Sequence, residues 1–111
     1  MERESENLLN QAQIYQQQIQ TVMAQKSAFT MELNEIKKAL EELEKTNEKS
    51  VFKLSGPLLI KVDTKDVKKD FSEKEIAINL RIKTMERQEQ KLKEKIEGMR
   101  EKIMKTQPKA G

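Results

Sequence analysis

The side chains most often recruited for catalysis are missing, because the chain has no His and no Cys. Thiolate nucleophiles, disulfide frameworks and imidazole acid–base or metal-ligand chemistry are therefore outside its repertoire. Charge is the chemistry that remains. Lys91, Lys93, Lys95, Arg100, Lys102 and Lys105 crowd the end of the chain, a density that could attract phosphates. Glu94, Glu97 and Glu101 interleave with them and no aromatic residue stands there to stack on bases, so the pattern argues against a nucleic-acid partner. The remaining Asp and Glu residues lack a concave apolar setting that would shift a carboxylate pKa, and no Gly-rich phosphate loop is present. These absences argue against an enzyme and call for no metal and no cofactor.

Apolar side chains carry the positive signal. Alternating steps of four and three from Leu8 reach Ala12, Tyr15, Ile19, Val22, Lys26, Phe29, Leu33, Ile36, Leu40 and Leu43, with Lys26 the one charged rung. A second ladder runs Phe71, Glu75, Ile78, Ile82, Met85, Glu89, Leu92, Ile96, Met99 and Ile103 and is apolar except at the two glutamates. A mean step near 3.5 residues keeps one narrow apolar seam facing a partner under left-handed supercoiling. Glu75 and Glu89 read either as register control or local loosening within the seam, or as exposure at a helix edge. The glutamine-rich residues 16–20 read as a polar helix face, since Tyr15 and Ile19 keep the ladder through them.

Composition fits a seam better than a thick core. The chain has 111 residues, of which 37% are charged and 4% aromatic. Its net charge of +3 is unevenly spread, about −3 over residues 1–46 and +5 over residues 67–111, which favours packing one arm against the other. No apolar run approaches the roughly 20 residues that cross a bilayer, and the acidic start does not resemble a signal peptide. A cytoplasmic protein with no membrane partner is the expectation.

Between the ladders lies a β-like island. Thr46, Asn47 and Ser50 interrupt the first helix, and residues 51–54 and 58–62 are rich in β-branched and apolar types about Ser55-Gly56-Pro57. Proline breaks a helix and glycine supplies the backbone angles of a turn, so the island reads as a β-hairpin. On this reading Phe52 and Leu54 share one face of the first strand, and Leu58, Ile60 and Val62 one face of the second, with Lys53 and Lys61 opposite. The hairpin then carries a one-sided apolar surface. Two strands alone are marginal in water, so Val51, Phe52, Leu54, Leu58, Leu59, Ile60 and Val62 are expected to join strands from other chains.

The fold class is thus mainly α: an antiparallel two-helix coiled coil, a long helical hairpin, with a central β-hairpin that joins an oligomeric platform. A single domain over residues 1–111 is expected, with helix over 1–46, the hairpin region over 47–66, helix over 67–105 and a flexible tail over 106–111. Asp63 or Thr64 is expected to cap the second helix, with Asp66 and Asp70 near its positive end. Arms of equal length folded about the hairpin bring both chain ends to one tip. There Leu9, Ile14 and Met104 lie off the seam, beyond the reach of the intrachain partner. Leu8, Met99 and Ile103 lie on the seam in its last turns, where fraying would expose them. Ile76 and Leu80, four residues apart, form a short apolar stripe expected to pack on the hairpin or a neighbouring subunit.

Four stretches, YQQQI at residues 15–19, NEIKKALEEL at 34–43, VFKLSGPLLIKV at 51–62 and NLRIKTMERQEQKL at 79–92, give the chain a further reading. Over about residues 10–105 it resembles the prefoldin family, specifically the beta class, whose members have one hairpin where alpha-class members have two. The resemblance implies a hexamer of two alpha-class and four beta-class subunits, hairpins building a β-barrel platform, and coiled coils whose tips hold unfolded client proteins. It further implies delivery of those clients to a group II chaperonin without ATP. A structural coiled-coil adaptor that docks one fixed partner explains the heptads equally well, but leaves the apolar hairpin unexplained.

Overall fold

The structure is a computed structural model that describes residues 2–106. Helix α1 (Glu2–Lys45) is followed by strands β1 (Ser50–Ser55) and β2 (Leu58–Asp63) and then helix α2 (Thr64–Thr106). The second helix thus begins at Thr64 rather than residue 67, and it continues through Thr106. Residues 107–111 of the expected tail lie outside the described residues. Packing divides the chain into two compact units, Ala28–Ile82 and Met1–Ser27 with Lys83–Gly111.

In the unit Ala28–Ile82, Leu33, Ile36 and Ile78 form the buried core, with Phe29, Leu40, Phe71 and Ile82 packed against it. The helices run antiparallel here: Arg81 sits over the Phe29 ring at 5.5 Å, while Lys68 and Glu44 pair at 3.5 Å. In the other unit Ile19 and Val22 are buried, and Lys95 over Tyr15 and Lys26 bonded to Glu89 show the same antiparallel sense. Every rung of both ladders is buried or half-buried, yet no described side chain is fully buried. That is the signature of a seam one side chain deep. Opposite net charge on the arms is only partly expressed as contacts, since Glu44–Lys68 follows the arm polarity and Lys26–Glu89 runs against it.

Helix α1 ends at Lys45, whose charge suits the negative end of the helix dipole. Thr46 N–H still donates to the Glu42 carbonyl at 3.2 Å, and the Thr46 hydroxyl then accepts from Glu48 N–H at 3.2 Å, turning the chain away. At the start of α2, buried Thr64 departs from the capping expectation. Its hydroxyl donates to the Glu48 carbonyl at 2.8 Å and its N–H to the Lys49 carbonyl at 2.9 Å, so it fastens α2 to the exit of α1 instead of accepting from its own first turn. Asp66 supplies the acidic residue of that turn.

The strands pair antiparallel, with Val51 opposite Val62, Phe52 opposite Lys61, Lys53 opposite Ile60, Leu54 opposite Leu59 and Ser55 opposite Leu58. Gly56 and Pro57 form a two-residue turn, Gly56 at φ +58° and proline with its fixed negative φ, the signs of a type II′ turn. Directly opposed residues share a face. The register therefore corrects the one-sided hairpin. Phe52, Leu54 and Leu59 lie on one face, while Val51, Leu58, Ile60 and Val62 lie on the other, so both faces are apolar. The Ile76–Leu80 stripe is also corrected in part: at 62% and 61% exposure these residues do not pack on the hairpin of their own chain.

Candidate binding surfaces

Two apolar surfaces and one polar cluster stand out. At the hairpin, Phe52, Leu54, Leu58, Leu59 and Ile60 are exposed, and Val51 and Val62 half-buried. A groove of about 620 Å³ runs between β1 and the helices, lined in part by Leu43, Val51, Phe52, Leu54, Val67 and Phe71. With both hairpin faces open and a single strand pair to stabilise them, this region has the composition of an interface rather than of a monomer surface.

In the unit that contains the start of α1 and the end of α2, Leu9, Ile14 and Met104 are 50%, 52% and 75% exposed, as their off-seam positions predict. Leu8, Met99 and Ile103 are half-buried on the seam, and Met85 likewise serves as a seam filler. One groove joins the first turns of α1 to the last turns of α2 through Asn7, Leu8, Gln11, Lys102 and Lys105, so the two helix ends meet. Ile14 opens instead onto a separate groove with Val22 and Leu92. The six predicted residues therefore share one unit without forming one pocket. Met23 and Met31, which lie off the ladder of α1, are exposed as well.

The polar cluster resolves the role of Glu89. Its Oε2 accepts from Lys26 Nζ at 2.9 Å and its Oε1 pairs with Lys93 Nζ at 2.9 Å, in a glutamate only 8% exposed. The two charged rungs of the ladders thus meet, and Glu89 belongs to the seam rather than to a helix edge. The signal lay in the rung count, since Lys26 and Glu89 are each the sixth rung outward from the hairpin. Sliding one helix by a heptad would place both charges against apolar rungs, so the pair selects register. Glu75, half-buried as the second rung, has no such partner opposite it, where the count places Leu40.

Hydrogen bonds from Lys26, then from Lys93, hold the Glu89 carboxyl below the usual glutamate range. The bond to Glu89 raises Lys26 against the opposing effect of burial, with further attraction from Glu89 and Glu86. Glu89 therefore adds stability above the ordinary glutamate pKa of about 4.3, and that contribution disappears as pH falls through the lower folded value. The Lys26 contribution is intact below about 10.4 and disappears as pH rises through the raised folded value. On acidification from about pH 7 to about pH 3, the melting temperature of the wild type is expected to fall more steeply than that of Glu89→Gln, read by circular dichroism. Parallel slopes would show that the pair contributes nothing to folding.

Among the described residues there is no group of three or more Asp and Glu placed to hold a metal ion, and no helix is long and apolar enough to cross a membrane. Comparison with known proteins bears on the same residues. A family model described as a prefoldin subunit matches residues 6–110. The prefoldin subunit beta of Thermococcus onnurineus is 42% identical over 97 residues, spanning 86% of this chain and 84% of that protein. That of Archaeoglobus fulgidus is 38% identical over 99 residues, spanning 88% and 85%. The crystal structure of the prefoldin beta subunit from Thermococcus strain KS-1 superposes with a TM-score of 0.85 at 34% identity, covering 95% of each chain. Two long helices flanking one β-hairpin are thus shared in sequence and in backbone, and the chain belongs to the prefoldin family of chaperone subunits, in its beta class.

Proposed function

We propose that the chain is an ATP-independent holdase subunit, a single prefoldin-like domain that captures unfolded proteins with the apolar side chains near its helix ends and delivers them to a group II chaperonin in the cytoplasm. The hairpins of two alpha-class and four beta-class subunits build the platform of the assembly. The observation that carries the capture site is the exposure of Leu9, Ile14 and Met104 in the unit that gathers both helix ends. Leu8, Met99 and Ile103, half-buried beside them, add apolar surface when the last turns fray. Methionine suits this task because its flexible, polarisable thioether follows varied shapes. Holding of this kind needs no catalytic group.

The test is light scattering as two unrelated denatured proteins are diluted into buffer with this chain, assembled with an alpha-class subunit, and no nucleotide. Suppression for both supports promiscuous holding, and suppression for neither by a confirmed hexamer overturns it in favour of a fixed-partner adaptor. Leu9→Ser, Ile14→Ser and Met104→Ser combined are expected to weaken holding about tenfold or more while the hexamer persists, since each removes a partly exposed apolar contact. Dissociation of that triple variant would place these residues in assembly instead.

A further inference from the structure

From residue 7 to residue 25, α1 carries no charged side chain, in a chain of which 37% is charged. Facing that segment in the same unit, α2 carries Lys91 and Lys95 one turn apart, a spacing at which like charges repel. Among the described residues no carboxylate lies within ion-pairing distance of either. Lys95 rests over the Tyr15 ring at 5.3 Å, which fixes where its charge stands. Between the helices is the groove of about 610 Å³, with Ile14, Val22 and Leu92 as its apolar strip and Gln17 and Gln18 along the α1 wall.

Each wall asks for a different complement. The strip takes apolar side chains, and glutamine amides donate to and accept from peptide groups. The lysines call for a negative partner, which the uncharged 7–25 segment of α1 facing them cannot give. The uncharged 7–25 segment of a second copy could not supply it either. We propose that this groove takes segments of non-native polypeptide in which acidic residues flank apolar ones, giving the holding surface a charge preference. This rests on the holding role proposed above. Promiscuity toward apolar sequence is retained, and the lysines rank segments by their flanking charge.

The experiment uses the full chain assembled with an alpha-class subunit and three short, unstructured, fluorescein-labelled peptides of the same Leu and Phe content, flanked by Glu, Gln or Lys. Anisotropy titrations at low salt are expected to give about tenfold tighter binding of the Glu-flanked than of the Lys-flanked peptide, shrinking as salt is added. Lys91→Gln with Lys95→Gln flattens the order and Lys91→Glu with Lys95→Glu reverses it, with melting temperatures checked for each. Ile14→Ser weakens all three peptides alike. Equal affinities in the wild type, or an order that survives charge reversal, overturn the proposal. Loss of the Glu-flanked peptide as protein concentration drives copies together also overturns it, by making the groove a contact between copies. Aggregation suppression is measured in parallel: its absence defeats the holding role itself, whereas suppression without a charge order defeats only the groove.

Discussion

Phe52→Ser combined with Leu54→Ser is expected to break the assembly into smaller species while leaving helix content unchanged. These residues are 68% and 70% exposed within the chain, so little intrachain packing is lost on replacing them. Buried by a neighbour, each contributes about 1.5–3 kcal/mol, and losing both weakens the contact roughly a hundred- to ten-thousand-fold. Sedimentation velocity reads the mass, and far-ultraviolet circular dichroism the helices. Because Leu58 and Ile60 lie on the opposite face, Leu58→Ser with Ile60→Ser is expected to dissociate the assembly as well. If one pair dissociates it and the other does not, the hairpin has a single covered face. If neither does, assembly does not run through the hairpin.

The second large effect lies in the seam. Ile78 packs with Leu33 and Ile36 in the buried core of the unit Ala28–Ile82 and is 6% exposed. Ile78→Ala removes that contact and is expected to cost about 2–3 kcal/mol, the lower part of the usual range for such truncations because no layer covers the seam. Urea denaturation at fixed protein concentration measures the change, with Glu73→Ala, at an exposed position, expected within about 0.5 kcal/mol of wild type. A loss from Ile78→Ala no larger than that of the control would mean that the seam is not what holds the helices.

The seam was the most legible part of the sequence. A 3.5-residue period leaves little freedom in which side chains face the partner, and each rung from Leu8 to Leu43 and from Phe71 to Ile103 is buried or half-buried. Off-seam exposure at Leu9, Ile14 and Met104 followed from the same geometry. The hairpin faces were not legible because they hinge on turn length. A three-residue turn including Ser55 sets Leu54 opposite Leu58 and gathers the apolar residues on one side. The observed two-residue turn sets Leu54 opposite Leu59 and Ser55 opposite Leu58, and a one-residue change in register moves every side chain of one strand to the other face. Pairing of Lys26 with Glu89 needed both ladders to be counted together, since neither charge explains itself within its own helix. The role of Thr64 was hidden for a different reason: a hydroxyl at a helix start is an acceptor by default, and only the folded loop offers it the Glu48 carbonyl.

That Thr64 fastening also marks a boundary for chain surgery. Glu48 and Lys49 on one side and Thr64 on the other close the backbone before and after the strands, with the Lys49 carbonyl and Thr64 N–H 2.9 Å apart. Everything from Ser50 to Asp63 is a cassette inserted at a pinned doorway. A strand pair of different length grafted between Lys49 and Thr64 is therefore expected to enter and leave through the same two backbone groups, leaving the end of α1 and the start of α2 where they are.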